Sequence, residues 1–567
     1  MFKVIREDSL ASRSNASSRV CLRVAALWLL FAALATIALF LRHLTVTLDG
    51  DYQGWASASC MIMARAFAQL GLWHTHLVPF QNNLPVGSDP DVYLHWPPLY
   101  PIVLSFVLRL FGDAPSSGRL LELDIVLASA ALVWLIAKRL YTPMIATLAA
   151  FFFLTARATY EGASAILQQP LAVLFALISV SCFLRAIPDD HSETAATQPG
   201  SMFFALLGAA ATALAIFSAW DPIFIPFGLL ASAVYLRRRR ATRLAVLYCA
   251  VAVVTFAGVQ LLYILSYPKL FANQVATIAY RAGLPFHGEH GVRLATIVDV
   301  VHYEEQFGLV TAWWRAMRNV EQFFSSIVLV AALLFVAIWW RNGKRADQPA
   351  TWVLGGLLLP TVVWYVAMRN YVAIHSFPLV LAAPFVAIAA GFVLDRLWTR
   401  YSASPADKPI LWTLLIGVPL IVIQPLLIQY RDSLVQPKTE FENLSAIIHD
   451  GTPQGAVVLT SAESLVPVYY GQRHIIRGIN SDAWLAWSIP QARKEFPDSP
   501  LYFATRSEDA TKLASGLKLL LVQERQLGDS TLYRVLPGTP SPEAGPLQND
   551  ADSLRRAVPE VRSSKSP

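Results

Sequence analysis

Two carboxylates one residue apart open the stretch Asp49-Gly50-Asp51-Tyr52-Gln53-Gly54-Trp55, directly after a long apolar block. An ionised group beside hydrocarbon is costly unless paired or solvated, so the pair needs a reason. Two readings fit the spacing. The carboxylates line a solvated turn, since Asp and Gly are turn residues, or they hold a divalent metal, as an Asp-X-Asp pair can on a nucleotide diphosphate. Farther along the same loop, Tyr93-Leu94-His95-Trp96-Pro97-Pro98 sets an imidazole between aromatic rings. The proline pair then starts a helix, as Pro favours in a first turn. His95 and Trp96 are either interfacial anchors or the wall of a binding site. A third stretch, Phe286-His287-Gly288-Glu289-His290, contains metal-ligand types, but third and fourth ligands are not evident and a solvated loop is the simpler reading.

These residues must be held by a scaffold, and composition says which kind. Of 567 residues, 55% are hydrophobic and 15% charged, against about 25% charged in soluble domains; mean hydropathy is +0.47. A span needs about 20 apolar residues to cross roughly 30 Å of hydrocarbon. Such blocks recur at 22–42, 119–138, 143–158, 168–187, 201–219, 222–236, 243–266, 323–340, 351–368, 374–395 and 410–429. This predicts a polytopic α-helical membrane protein of about eleven spans and excludes a soluble enzyme. Net charge is +7. Its basic residues fall in short loops that stay in the cytoplasm, so nucleic acid is not an expected partner. The four cysteines, Cys21, Cys60, Cys182 and Cys249, have no spacing of a disulfide or metal framework.

The block 97–111 is apolar but short. If it crosses, the run Arg237–Arg240 faces outward, against the retention of Lys- and Arg-rich loops inside. It is therefore read as a helix in the outer interface, with the N-terminus inside and the C-terminus outside. Residues 1–430 then form a membrane domain with outer loops 43–118 and 267–322. Residues 431–540, with short β-type runs such as Ala456–Leu459 and Leu501–Ala504, form a small extracytoplasmic α/β domain. Residues 541–567 form a Pro-, Ser- and charge-rich tail expected to be disordered. The outer face lacks the cytoplasmic pool of nucleotide sugars, which disfavours the metal–nucleotide reading of Asp49 and Asp51.

The stretches Asp51-Tyr-Gln-Gly-Trp55, Tyr93-Leu-His-Trp-Pro-Pro-Leu99 and Ile374-His-Ser-Phe-Pro378 resemble the bacterial branch of the GT-C membrane glycosyltransferases. This family 39-like branch is related to protein O-mannosyltransferases and the lipid A aminoarabinose transferase. The resemblance covers nearly the whole chain. It departs where better-known members carry an adjacent Asp-Glu pair, and where a second His often follows the position of His95. The resemblance implies a bacterial inner-membrane enzyme that moves a sugar from a polyprenyl-phosphate donor to a hydroxyl of a glycan, lipid or protein acceptor outside the cytoplasm. Direct displacement would invert the anomeric centre and needs a base, here Asp51 or Asp49. A divalent metal is not demanded by that chemistry but stays open. Arginines at the outer ends of spans and in the outer loops, Arg369, Arg157, Arg281 and Arg293, would take the donor phosphate, which a guanidinium matches bidentately. Otherwise they snorkel to membrane lipids. His95, Tyr93, Trp55 and His375 would contact substrate. Two other classes share these features: a transporter or flippase of a lipid-linked precursor, and a non-catalytic envelope assembly protein.

Overall fold

A computed structural model describes residues 11–48, 54–84, 91–187, 199–284, 308–342, 348–375, 377–401, 408–433, 441–479, 482–506 and 521–537. The chain divides into two compact units. One is Met1–Asn82, Asp91–Gly291 and Asp299–Glu440; the other is Asn83–Pro90, Val292–Val298 and Phe441–Pro567.

The larger unit is helical. Seven helices are long and apolar enough to cross a membrane: Val20–His43, Pro115–Leu140, Gln168–Ala186, Ser201–Ser218, Arg239–Ser266, Pro349–Ala367 and Leu379–Tyr401. Leu309–Phe323 and Ser326–Arg341 form a pair bent by 109° that passes the same test as one span. Pro143–Thr155, Asp221–Tyr235 and Val418–Arg431 are apolar but shorter. Each expected span thus has an apolar helix. The block read as interfacial is another short one, Leu99–Phe111. It buries Tyr100, Leu104 and Leu108 and exposes Phe106, Leu110 and Phe111.

We label the helices up to residue 282 α1 (Ala11–His43), α2 (Gly54–Leu70), α3 (Leu99–Phe111), α4 (Pro115–Leu140), α5 (Pro143–Thr155), α6 (Arg157–Ser164), α7 (Gln168–Ala186), α8 (Pro199–Ser218), α9 (Ile225–Tyr235), α10 (Arg239–Ser266) and α11 (Pro268–Ala282). Between helices in lipid, close packing of small residues and interhelical hydrogen bonds replace the hydrophobic drive. Accordingly, Gly391 lies against the α5 backbone at Ile145 and Ala149, and Gly228 of α9 lies against Gly355 in a π-turn, Leu354–Leu358. Ser179 and Thr212 bond across α7 and α8 at 2.7 Å. Ser232 of α9 donates to the Thr351 carbonyl at 3.0 Å.

Buried polar pins tie several segments of this unit together. Arg119, fully buried at the start of α4, donates to the carbonyls of His43 and Val46 at 2.5 Å each, at the C-terminal end of α1. A cation there also meets the negative end of the helix dipole. The α2 helix is buried over most of its length. Arg65 binds Asp113 at 2.5 Å, and Arg109 of α3 donates to the Phe67 and Ala68 carbonyls. On the opposite side Ser57 accepts from the Ile166 N–H at 3.0 Å, while Cys60 donates to Gln168 at 3.5 Å. Glu122, an intramembrane carboxyl on α4, accepts from the Tyr100 hydroxyl and from the Leu167 N–H. Through these bonds α2, α3, α4 and the α6–α7 connection form one block.

The second unit carries a five-stranded sheet in the order β2-β1-β3-β5-β4. The strands are β1 (Val457–Thr460), β2 (His474–Ile476), β3 (Leu501–Arg506), β4 (Leu521–Leu527) and β5 (Ser530–Val535). β1 runs parallel to β2 and β3, and β5 runs antiparallel to β3 and β4. The core of Val457, Leu459, Ile476, Leu501 and Phe503 is closed by Leu485 and Ile489 of the helix Asp482–Glu495. Asn83 belongs to this unit: its amide donates to the Val468 carbonyl at 2.6 Å. The tail 541–567 lies outside the described residues.

Candidate functional site

A narrow cleft of about 30 Å³ opens in the helical unit. Trp55, Ser59, Cys60 and Met63 of α2 form one wall, Tyr93 and Trp96 a second, and Leu167 and Gln168 a third; Arg281, Tyr371 and His375 complete it. The walls are set by backbone anchoring. The Tyr263 hydroxyl donates to the Trp96 carbonyl at 2.7 Å, and the Trp220 indole N–H donates to the His95 carbonyl at 3.0 Å. Two consecutive carbonyls just ahead of the Pro97-Pro98 break are therefore fixed from α10 and from the end of α8.

Arg281 stands in the last turn of α11. Its guanidinium lies 5.3 Å from the Trp96 ring centre and 5.0 Å from that of Tyr371, the range of cation–π attraction. Among the described residues it has no hydrogen-bond or ion-pair partner. The end of α11 that presents it is held from both sides. Thr277 bonds the His95 ring at 3.0 Å. Arg369 donates to the Gly283 carbonyl at 2.5 Å, and Asn370 to the Tyr280 carbonyl at 2.9 Å. Gly283 adopts φ +70° to close the helix, and the Leu284 N–H reaches back to the Ala279 carbonyl at 2.8 Å. A Cβ on Gly283 would run into the Arg369 side chain, so this close approach needs glycine.

Burial drives both histidines toward the neutral ring. The His95 pKa is lowered to about 3 by desolvation and then by the Arg281 charge, and that of His375 is lowered to about 3 by the same two causes in the same order. Both are neutral at physiological pH. They contribute shape and single hydrogen bonds, and Arg281 is the cation of the cleft.

Of the residues named from sequence, Trp55, Tyr93, Arg281 and His375 line the cleft. His95 packs beside it, 5.0 Å from the Tyr93 ring. Arg369 stands at the Gly283 carbonyl. Arg157 stacks on Phe323 at 5.2 Å. Asp49, Asp51, Arg293 and the 286–290 segment lie outside the described residues. Among the described residues no group of three or more His, Cys, Asp or Glu could hold a metal.

Sequence reading missed Asp221. It sits in the turn between α8 and α9, 3% exposed. Neither carboxylate oxygen has a hydrogen-bond partner among the described residues. Burial raises its pKa to about 7, with the Arg281 charge pulling the other way. Its signal was available: a carboxylate in a short connection between two apolar blocks is a functional-site candidate by position.

The comparisons bear on this architecture. Residues 95–263 match the family model described as dolichyl-phosphate-mannose-protein mannosyltransferase, a stretch that runs from His95 through α10. Among solved structures, ArnT from Cupriavidus metallidurans bound to undecaprenyl phosphate aligns with a TM-score of 0.57 at 13% identity, covering 89% of this chain and 97% of that one. Archaeal AglB from Archaeoglobus fulgidus, in complex with an inhibitory peptide and a dolichol-phosphate, aligns with a TM-score of 0.54 at 12% identity, covering 92% and 75%. The oligosaccharyltransferase of Archaeoglobus fulgidus in its apo form gives 0.53 at 11%, covering 85% and 70%. The fold is GT-C. At 11–13% identity this likeness is one of fold, and the family model matches less than half of the chain. A search of curated proteins by sequence finds no match.

Proposed function

We propose that this enzyme transfers a sugar from a polyprenyl-phosphate donor to an acceptor hydroxyl on the outer face of a bacterial inner membrane, with inversion at the anomeric carbon. The observation that carries this reading is Arg281: a guanidinium stacked on Trp96 and Tyr371 at the cleft, with no hydrogen-bond partner among the described residues. A cation so placed suits an oxyanion. ArnT and AglB, the proteins of similar fold, were solved with undecaprenyl phosphate and dolichol-phosphate, respectively.

In the reaction, a carboxylate of Asp51 takes the acceptor proton, the acceptor oxygen bonds to the anomeric carbon, and the bond to the phosphate oxygen breaks. Polyprenyl phosphate leaves with the electron pair. The donor is a phosphodiester with one negative charge; the departing monoester gains a second, so Arg281 binds the transition state more strongly than the ground state. Asp51 is four residues ahead of Trp55, and that much chain reaches at most about 14 Å. Asp49 tunes its neighbour's charge. Tyr93, Trp55, His95 and His375 shape the sugar subsite, while Arg369, Arg157 and Arg293 supply secondary phosphate or headgroup contacts. The glycan, lipid or protein that accepts the sugar is approached from the outer loops.

The test is sugar transfer by the purified full-length protein in proteoliposomes supplied with labelled polyprenyl-phosphate sugars and envelope extract. Asp51→Asn should bind donor yet lose transfer by roughly 10²-fold or more, and Asp49→Asn should lose less. Near-normal turnover in both variants sinks the mechanism.

A further inference from the structure

The helix Leu309–Phe323 takes no part in the proposed transfer, and its sequence divides into three stripes at helical spacing. Ala312, Ala316, Asn319 and Phe323 form the packed stripe. The two alanines and Phe323 are buried, the Arg157 guanidinium stacks on Phe323, and Asn319 donates to the Val372 carbonyl at 3.1 Å, in the short helix Arg369–Ile374 that carries Tyr371. Val310, Trp313, Trp314 and Met317, spaced i, i+3, i+4 and i+7, form a second stripe. All four are exposed, Val310 by 82% and Trp314 by 72%. Thr311, Arg315, Arg318 and Gln322 form a third stripe, exposed as well. The apolar row stops at Glu321, close to the helix end.

The neighbouring helix says what covers the apolar row. Ser326–Asn342 is apolar up to Arg341 and exposes Ile327, Val330, Leu333 and Leu334. Its 17 residues rise about 25 Å, close to the thickness of a hydrocarbon core. The two helices are bent by 109° from one another, so where Ser326–Asn342 crosses the bilayer, Leu309–Phe323 runs along its surface. Arg315, Arg318 and Glu321 bar the latter from the hydrocarbon itself. Tryptophan, an apolar ring with a polar N–H, settles at the hydrocarbon boundary, and an apolar row flanked by an arginine row is the pattern of a helix lying in the interface. The packed stripe fixes the helix about its own axis, so the apolar row keeps its direction.

We propose that Leu309–Phe323 is a membrane-surface helix whose partner is the phospholipid bilayer, with Val310, Trp313, Trp314 and Met317 at the hydrocarbon boundary and Arg315 and Arg318 among the headgroups. Spin labels on cysteines introduced one at a time test this in the full-length protein in phosphatidylcholine–phosphatidylglycerol nanodiscs. Val310→Cys, Trp314→Cys and Met317→Cys sample the apolar row; Thr311→Cys, Arg315→Cys and Arg318→Cys sample the polar one. The four native cysteines are buried, and the parent protein carried through the same labelling gives the background. Collision of each label with oxygen, which concentrates in hydrocarbon, is compared with its collision with a water-soluble nickel chelate. The oxygen-to-chelate ratio should be several-fold higher on the apolar row than on the polar row. Chelate access on both rows, as for a helix standing in water, overturns the proposal. Oxygen preference on both rows, as for a helix within the hydrocarbon, overturns it too. So does an apolar row that neither reagent reaches, as for a surface covered by another protein or a second copy of this chain. All six positions are exposed, and three labels on each row keep the contrast readable if one variant fails to fold.

Discussion

Arg281→Gln removes the one charge that faces the cleft among its lining residues while keeping a shorter polar side chain. Two effects follow, and they separate. The guanidinium lies 5.3 and 5.0 Å from two ring centres; each contact is worth roughly 0.5–1 kcal/mol, more when desolvated, so the variant should lose about 1–2 kcal/mol of stability. A charge-assisted hydrogen bond to phosphate is worth roughly 1.5–3 kcal/mol, or about 10- to 150-fold in kcat/KM. Because charge builds on the leaving phosphate, part of that loss should appear in kcat and not in donor KM alone. Arg281→Lys, which keeps the charge but loses the fork, should fall between. The assay is steady-state transfer with a labelled polyprenyl-phosphate sugar, at matched folded fractions. A kcat/KM within about twofold of wild type would refute the role given to Arg281.

Gly283→Ala should cost about 1–2 kcal/mol for the left-handed backbone and displace Arg369, whose side chain occupies the space of the new Cβ; lowered thermal stability with several-fold weaker donor use is the expected result. Glu122→Ala leaves the Leu167 N–H and the Tyr100 hydroxyl without their acceptor, at about 1–3 kcal/mol for each, whereas Glu122→Gln, which retains an acceptor, should be milder in thermal unfolding. Impermeant thiol labelling of intact spheroplasts should modify Ser499→Cys and spare Thr242→Cys; the reverse pattern would invert the proposed orientation.

Hydropathy made the helical scaffold legible, because long apolar blocks in a 567-residue chain have few alternatives to crossing a membrane. Its limits show at α2. The stretch Gly54–Leu70 is rich in small and polar residues, reads as loop, and forms a buried helix because Ser57, Cys60 and Arg65 find partners on other segments. The cleft was half visible. Trp55, Tyr93 and His375 stood out as aromatic or titratable groups beside turn signals, and Arg281 was one of four candidate arginines, behind Arg369. What distinguishes Arg281 is tertiary: Arg369 is tied to the Gly283 carbonyl, Arg157 is stacked on Phe323, and Arg281 meets Trp96 and Tyr371.

The central claim is that this chain glycosylates an acceptor outside the cytoplasm from a lipid-phosphate donor. Its most direct test is mass spectrometry of envelope lipids, glycans and proteins from cells with the wild-type protein, without it, and with Asp51→Asn. The account predicts one sugar mass present on an acceptor in the first, absent in the other two, and matched there by accumulated polyprenyl-phosphate sugar. Identical envelope profiles in all three, with no accumulated donor, would contradict it.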